Sequence, residues 1–269
     1  MGPRQLSQPF GDEPYDEVDL PRAPLVRVLS QLRFERMSVL DSPSTAGAFT
    51  AALSDVYPYS DSSTELNLLL GGGQVASQPT SQTVWRLRSA DKSRTVTLTN
   101  GSISLETSNY RGRGDFCKEL LSVIEALQGI VKVPSFNRIG VRYTNQITGN
   151  LLNRLSDLFR AEVLGVSSTP LGNAQLQHAV SQASFVLGGG TGLVGQWGQL
   201  SENSGFDPGL PVLPVRSYIL DLDAYLQSDS ISPSPAAIQA DALALAERAY
   251  RFLRWAVTLD FLREFGGDV

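Results

Sequence analysis

The chain has 269 residues, 42 % of them hydrophobic and 8 % aromatic, with a net charge of −5 and a sequence pI of about 5.0. This composition is that of an ordinary globular protein of one large domain or two closely packed ones. The acidic balance argues against non-specific nucleic-acid binding, which needs many lysine and arginine contacts to phosphate. Because Cys117 and His178 are the only residues of their types, a single chain cannot form a disulfide or a Cys/His zinc site.

The N-terminal residues 1–23 differ in character from the rest of the chain. They hold four prolines and the acidic residues Asp12, Glu13, Asp16, Glu17 and Asp19. We interpret 1–23 as a poorly ordered, polar acidic tail that packs on the body of the protein or on a partner. The chain has no signal-peptide core and no apolar stretch near the roughly 20 residues of a membrane helix, so we expect a cytoplasmic protein.

Residues 24–134 form a first predicted α+β repeat. Hydrophobic and polar residues alternate at its start, which predicts a strand with one buried face. A helix is predicted over residues 44–57, with Ser44 or Thr45 as its N-cap and Pro58 after its end.

The rest of this repeat is predicted to be mostly strands. Asn100-Gly101 is a two-residue hairpin signal, because both positions tolerate positive φ. A long amphipathic helix is predicted over 115–131, capped by Asp115. The predicted strands are 65–70, 84–89, 94–99 and 102–107.

Residues 135–269 form a second predicted α+β repeat. It begins with a half-buried strand around Val141 and ends with the longest helix, 235–265, whose first turn suits Pro235. A short helix is predicted between them at 150–161. The further predicted strands are 175–187, 192–201 and 215–227.

The long C-terminal helix carries two apolar stripes side by side, which is more than one contact with a sheet needs. The second stripe either belongs to the core or meets another subunit, of the same or a different protein. The interface candidates on this stripe are Leu243, Tyr250, Leu253 and Val257.

Two similar strings suggest an internal duplication. Leu68-Leu69-Leu70-Gly71-Gly72-Gly73 in the first half corresponds to Phe185-Val186-Leu187-Gly188-Gly189-Gly190 in the second. We therefore predict an α+β fold of two β-α-βββ(β)-α pseudo-repeats packed as one body, each with an antiparallel sheet covered by a long helix. The TATA-binding-protein saddle has this order of elements, an analogy of fold that does not specify function.

Several strings together also suggest a family. The most specific is Arg138-Ile139-Gly140-Val141-Arg142-Tyr143-Thr144-Asn145, an Arg-x-Gly-x-Arg-Tyr-x-Asn motif. Weaker ones are Ala23–Val26, Leu32–Glu35, Trp85–Asp91, Leu220–Tyr225 and Leu262–Gly266. Over residues 24–266 the chain resembles a sporadically distributed family of uncharacterised prokaryotic proteins of about this length. The resemblance implies a stand-alone cytoplasmic accessory protein, as in toxin–antitoxin or defence-linked genes, and supplies no catalytic residues.

Arginine and tyrosine residues on predicted strands and loops are the candidate ligand-binding groups. Arginine suits phosphate and carboxylate recognition, because its planar donors bind both anions in pairs. The alternative is that these arginines pair with aspartate and glutamate on neighbouring strands. The candidates are Arg86, Arg88, Arg111, Arg113, Arg138, Arg142 and Tyr143.

Asp221 and Asp223 share one face of a predicted strand, a spacing that suits Mg²⁺ in a phosphoryl-transfer site. Such a site needs a third acidic ligand that no pattern marks, so a solvated strand edge is the competing interpretation. Gly190-Thr191-Gly192-Leu193-Val194-Gly195 matches the dinucleotide motif, but a strand pattern rather than a helix follows it. We therefore expect a glycine-rich hairpin there.

The two remaining reactive residues lack the partners of a catalytic site. No nucleophile motif accompanies His178, and we expect Cys117 to be a buried, inert thiol. We expect no cofactor and lean towards a protein without enzymatic activity. The leading hypothesis is a protein-interaction module that works as an oligomer or within a complex. The alternatives are a nucleic-acid or nucleotide-binding module and a metal-dependent phosphoryl-transfer enzyme at Asp221 and Asp223.

Overall fold

The computed structural model describes residues 5–67 and 80–269, so the predicted glycine triplet at 71–73 and the end of the strand before it lie outside the described residues. The strands are β1 Leu25–Arg33, β2 Tyr59–Asn67, β3 Thr80–Arg88, β4 Arg94–Leu98, β5 Ser102–Thr107, β6 Phe136–Thr148, β7 Ala179–Gly188, β8 Thr191–Leu200 and β9 Ser217–Ile231. The helices are α1 Pro43–Leu53, α2 Arg113–Ile130, α3 Leu155–Leu158, α4 Ala161–Leu164, α5 Pro235–Ala256 and α6 Leu259–Glu264.

These strands form one antiparallel sheet in the order β2-β3-β4-β5-β1-β6-β9-β8-β7. The predicted α+β class with antiparallel strands is confirmed. Among the described residues, every helix is too short or too polar to cross a lipid bilayer.

Two compact units divide the chain. The β2–β5 unit comprises 28–141 and 225–243, and the β7–β8 unit comprises the residues through Arg27, 142–224 and 244–269. The division follows packing and cuts across several strands. The predicted repeats are defined by the order of elements along the chain. A division by packing does not test that order, so the repeats stay a prediction.

In the β2–β5 unit the side chains follow the expected alternation. Ile103 and Leu105 of β5 are fully buried, whereas Ser102 and Ser104, which alternate with them, are partly exposed. Helix α2 buries the predicted apolar stripe, including Phe116, Leu120 and Ile124. The core of this unit is therefore made from one face of the sheet and one face of its helices.

The hairpin between β4 and β5 forms where Asn100-Gly101 predicts it, but for a different reason. Neither residue adopts a positive φ. Instead, the Asn100 side chain donates to both carboxylate oxygens of Asp41, at 3.1 and 2.9 Å. The Asn100 and Gly101 carbonyls accept from the N–H groups of Met37 and Phe34 at 2.7 and 3.1 Å. Long-range hydrogen bonds therefore fix this turn.

The predicted caps of the first two helices are wrong. Helix α1 begins at Pro43 after Ser42, because proline is pre-set for the first helical position. Helix α2 begins at Arg113 after Gly112, whose φ of 148° is open to glycine. Asp115 consequently lies inside the first turn of α2.

Other predicted boundaries also shift. The predicted helix 44–57 ends at Leu53, and the chain then turns so that Tyr57 is buried. Of the predicted strand 65–70, residues 65–67 are the end of the longer strand β2, and 68–70 lie outside the described residues. The predicted helix 150–161 is replaced by a 3₁₀ segment, Gly149–Arg154, and the single-turn helices α3 and α4.

The predicted helix 235–265 is two helices. Between α5 and α6 the backbone of Val257 bridges that of Phe159. The Thr258 N–H donates to the Leu158 carbonyl at 2.9 Å, and the Thr258 hydroxyl caps α6 by accepting from the Phe261 N–H at 3.2 Å. Pairing with a segment almost a hundred residues earlier in the chain therefore interrupts the helix.

A cluster of aromatic side chains packs around one buried residue of the β7–β8 unit. Phe252 of α5 lies at its centre, with ring centroids 5.7 Å from Phe185 of β7, 6.0 Å from Trp197 of β8 and 5.2 Å from Trp255. Phe10 of the N-terminal segment is 5.1 Å from Phe185 and 5.8 Å from Phe252. The first residues of the chain thus contribute to this cluster.

The predicted tail is described from Gln5 onward, and it packs against α5 and α6. Leu6 is 1 % exposed. The Val18 N–H donates to the Tyr250 hydroxyl at 2.8 Å, and the Arg22 N–H donates to the Phe265 carbonyl at 3.1 Å. Residues 5–23, called here the N-terminal segment, therefore cover one side of the last two helices.

We predict that Leu6→Ala lowers the free energy of unfolding by about 2 to 4 kcal/mol, because it removes a fully buried side chain from this contact. Urea denaturation followed by circular dichroism measures the change. Asp12→Ala, at an exposed position of the same segment, is the control and should change stability by less than about 0.5 kcal/mol. Equal effects of the two variants would contradict the packing of the N-terminal segment.

Candidate functional site

The seven candidate ligand-binding residues do not belong to one compact unit. Arg142 and Tyr143 lie in the β7–β8 unit, and the others lie in the β2–β5 unit. Their surroundings also differ. Each group is therefore described by its own contacts.

Arg86 and Arg88 of β3 face carboxylates of the neighbouring strand. Arg86 pairs with Glu65, and its second guanidinium nitrogen donates to the Ser63 hydroxyl at 2.7 Å. Arg88 pairs with Asp61. For these two residues the alternative of cross-strand ion pairing is confirmed.

Arg142 of β6 lies at the centre of a buried charge cluster. Its Nε lies 2.9 Å from both Asp221 carboxylate oxygens, and its Nη1 lies 2.6 Å from Asp207 Oδ2. Arg27 binds the other Asp207 oxygen at 3.2 Å, and the Thr144 hydroxyl donates to Asp221 at 2.6 Å. We call Arg27, Arg142, Thr144, Asp207 and Asp221 the Arg142 cluster.

The Arg142 cluster is electrically balanced, with two guanidinium groups facing two carboxylates. Burial opposes the charge on Arg142, but the hydrogen bond and charge of Asp221, and the charges of Asp207 and Asp223, raise the pKa of Arg142 above its ordinary value. Burial would raise the pKa of Asp207, yet the Gly209 N–H and the charges of Arg142 and Arg27 lower it below its ordinary value. Every charge in the cluster is thus neutralised by a partner.

This arrangement corrects the interpretation of Asp221 as part of a solvated strand edge. Strand β9 lies between β6 and β8, and Asp221 is 3 % exposed. Its oxygens are taken by Arg142 and Thr144. Asp223 is only partly buried and also has an interaction partner. Within the described ranges no group of three His, Cys, Asp or Glu residues is placed to hold a metal ion.

Arg138, Arg111 and Arg113 have different environments. The Arg138 guanidinium lies over the Tyr225 ring, 5.4 Å from its centroid, a cation–π contact. Arg111 is exposed on the loop before α2 and lines a cleft of 410 Å³. Arg113 is in the first turn of α2 and has an interaction partner.

A cleft beside α2 in the β2–β5 unit is lined by several ionisable side chains. Three cations and three carboxylates line it, so it has no net charge. They are Arg94, Arg111, Lys118, Asp91, Asp115 and Glu119. Arg94 is paired with Glu119 at 3.0 Å. Such a balanced surface does not favour a polyanion such as nucleic acid.

The apolar stripe predicted as an interface is largely covered by the chain itself. The Tyr250 hydroxyl bonds to Val18, and its ring lies 5.6 Å from that of Tyr15. Val257 is 1 % exposed, and Leu243 and Leu253 are half-buried. The stripe therefore presents less apolar surface than the sequence pattern suggests.

The glycine motif forms a turn, the Cys117 thiol is buried, and the His178 side chain is exposed. Gly188, Gly189 and Gly190 adopt positive φ in the turn between β7 and β8, as expected for a glycine-rich hairpin. Cys117 is fully buried, and burial raises the pKa of its thiol to about 11. His178 is exposed just before β7.

One surface was missed by the sequence interpretation: the outer edge of β7. Strand β7 ends the sheet, and within the described residues it pairs with no strand other than β8. Its sequence, Ala-Val-Ser-Gln-Ala-Ser-Phe-Val-Leu-Gly, contains no charged residue and no proline. Val186 is 87 % exposed and Val180 is 39 % exposed. The sequence shows that this strand lacks charge, but its position at the edge depends on the order of strands in the sheet.

Comparisons of the chain with protein-family models, with curated proteins and with solved structures found no match.

We predict that Asp207→Asn lowers the free energy of unfolding by about 1 to 3 kcal/mol at pH 7, because it removes a carboxylate partner of Arg27 and one of the two carboxylates that bind Arg142. The pKa of Asp207 is lowered in the folded state, so its stabilising effect is present above pH ~4, its unfolded pKa. It is lost as the pH falls through the folded pKa.

Urea denaturation of the wild-type protein and of Asp207→Asn across acidic and neutral pH tests this. The stability difference should stay constant above pH ~4 and shrink below it. Asp12→Asn, at an exposed carboxylate, is the control. A difference that persists unchanged as Asp207 becomes protonated would show that its charge does not support the cluster.

Proposed function

We propose that this chain is a non-enzymatic protein-interaction module that binds its partner by adding a strand to the outer edge of β7. The observation that carries the proposal is the ten-residue edge strand without charge or proline. The unpaired N–H and C=O groups of such an edge are a template for another extended segment. Proteins that avoid this pairing usually place lysine, proline or a bulge on the edge. Strand β7 has neither lysine nor proline, and its register shift lies near its end, between Val186 and Gly188.

The opposite edge of the sheet shows the contrast. Strand β2 carries Asp61 and Glu65, which are exposed and paired with Arg88 and Arg86 of β3. Charges of this kind discourage edge-to-edge pairing. The sheet therefore has one charged edge and one uncharged edge, and only the uncharged one suits strand addition.

Three of the candidate arginines also support this proposal, because each is paired with a carboxylate of the same chain and is less available to a ligand. Arg86, Arg88 and Arg142 are paired with carboxylates. A metal at Asp221 would have to displace Arg142, so phosphoryl transfer is not the function we propose. The resemblance noted from the sequence makes an accessory role in a cytoplasmic bacterial complex, linked to toxin–antitoxin or defence genes, part of our proposal.

The duplicated architecture is also part of the proposal. Outward from β1 the strands run β5, β4, β3 and β2, and outward from β6 they run β9, β8 and β7. A helix precedes the outermost strand of each set and another follows the innermost one. This order supports two β-α-βββ(β)-α pseudo-repeats, with the TATA-binding-protein unit as an analogy of topology. Alignment of the two halves in related sequences would test the duplication.

Binding of a small anion in the cleft beside α2 is a second candidate. Exposed Arg111 and Lys118 at its lining favour it, although the carboxylates beside them favour a zwitterionic ligand over a nucleic acid. Binding of nucleotides at low salt that is lost in Arg111→Ala would support this candidate. No binding at low salt would remove it.

We predict that Ser184→Lys, at an exposed position of β7, removes the partners that the wild-type chain retains. A lysine on the edge strand opposes pairing with an incoming strand. Tagged wild-type and variant chains are expressed beside an untagged copy in the native cells, and retained proteins are identified by mass spectrometry. Thr64→Lys, at an exposed position of the other edge strand, is the matched control.

The wild-type chain and Thr64→Lys should retain the same partner, and Ser184→Lys should lose it. If the partner is a second copy of the chain, the untagged copy is the protein retained. All three chains should show the same thermal unfolding. If Ser184→Lys retains everything that the wild-type chain retains, β7 is not the interaction surface. If the wild-type chain retains nothing, the proposed function is wrong.

A further inference from the structure

In the regularly paired part of β7, the two exposed valines are placed symmetrically about the residue midway between them. The pairing of β7 with β8 is regular up to Val186, and a register shift lies between Val186 and Gly188. The exposed valines, Val180 and Val186, lie equally far from Ala183 along the strand. Residues 180–186 are therefore symmetric about Ala183 in the placement of their exposed apolar side chains.

In an antiparallel pair of identical strands related by a two-fold axis, paired residue numbers have a constant sum. With the axis at Ala183, Val180 faces Val186 of the second copy, and Gln182 faces Ser184. These residues share one face of the strand, because their numbers have the same parity. This register buries both exposed valines against each other and places no charged residue opposite another.

Antiparallel self-pairing of β2, at the other edge of the sheet, would bring like charges together. The midpoint of β2 is Ser63, and pairing about it places Asp61 of one copy opposite Glu65 of the other. Like charges directly opposite each other destabilise a strand pair. Self-pairing is therefore disfavoured at β2 and unopposed at β7.

We infer that the partner bound by β7 is a second copy of this chain, in an antiparallel β7–β7 pair centred on Ala183. This inference rests on the proposed function, since it names the occupant of the same edge. The described part of each chain has one such edge, so the pairing closes after two copies. A contact of about seven residues per strand lies at the small end of protein interfaces, and a weak dimer in the micromolar range is expected.

The register makes a disulfide the most direct test. In Ala183→Cys the two new thiols face each other across the axis, with Cα atoms about 4.5 to 5.5 Å apart, within the range of a disulfide. In Ser181→Cys the residues are four positions out of register, roughly 13 Å apart along the strands. The native Cys117 is fully buried and remains as an internal control.

Under mild oxidation at roughly 100 μM protein, a concentration suited to a weak contact, Ala183→Cys should give a covalent dimer on a non-reducing gel. Ser181→Cys should remain monomeric. In parallel, sedimentation equilibrium of the wild-type chain and of Val186→Lys measures the dissociation constant of the dimer. Val186→Lys should raise it at least about tenfold, because two cross-strand valine pairs are lost. Thr64→Lys, on the other edge, should leave it unchanged.

Three results would overturn the inference. They are a wild-type chain that stays monomeric at every concentration, a dimer that Val186→Lys does not weaken, and cross-linking that is as efficient at 181 as at 183. If the purified chain is monomeric but Ser184→Lys still loses a different protein in cells, the proposed function stands and only the second copy is rejected. If neither a second copy nor another protein depends on β7, both are rejected.

Discussion

The neutralisation of Asp221 by Arg142 is the interaction on which the interior of the β7–β8 unit depends. A carboxylate that is 3 % exposed on a strand with neighbours on both sides is costly to bury unless it is paired and hydrogen-bonded. Arg142 and Thr144 satisfy it. Arg142 also binds Asp207, which together with Arg27 fixes the loop between β8 and β9. The most chemically suggestive residues of the sequence are therefore part of the scaffold.

Charged side chains also join separate parts of the chain elsewhere in the described residues. Arg251 donates to the Glu13 carbonyl at 3.1 and 2.6 Å, which ties the N-terminal segment to α5. Arg94 pairs with Glu119 in the cleft, and burial and the hydrogen bond to Glu119 raise the pKa of Tyr57. These charged side chains thus bind other parts of the same chain. The outer edge of β7 pairs with no strand among the described residues other than β8, and its backbone is the surface to which we assign the binding of a chain segment.

The sequence predicts those parts of the fold that local patterns determine. Alternating residues mark β1, β5 and β6, and the apolar stripes mark α2 and α5. It does not predict the break after Ala256, because the bridge to Phe159 that causes it is a long-range contact. The partner of Arg142 lies 79 residues away, so the spacing of Asp221 and Asp223 suggested a solvated strand edge or a metal site instead. Edge position depends on the order of strands in the sheet, which alternation alone cannot supply.

An uncharged edge strand normally invites aggregation, so its presence in a folded protein needs a reason. The register shift after Val186 limits the regular edge to a short stretch, and the glycine-rich turn ends the strand. A short edge that pairs with its own copy about a two-fold axis consumes both edges at once, which leaves no further template for growth. The charges on β2 keep the opposite edge from extending the sheet. The distribution of charge between the two edges is therefore consistent with limited, specific pairing rather than with an open-ended assembly.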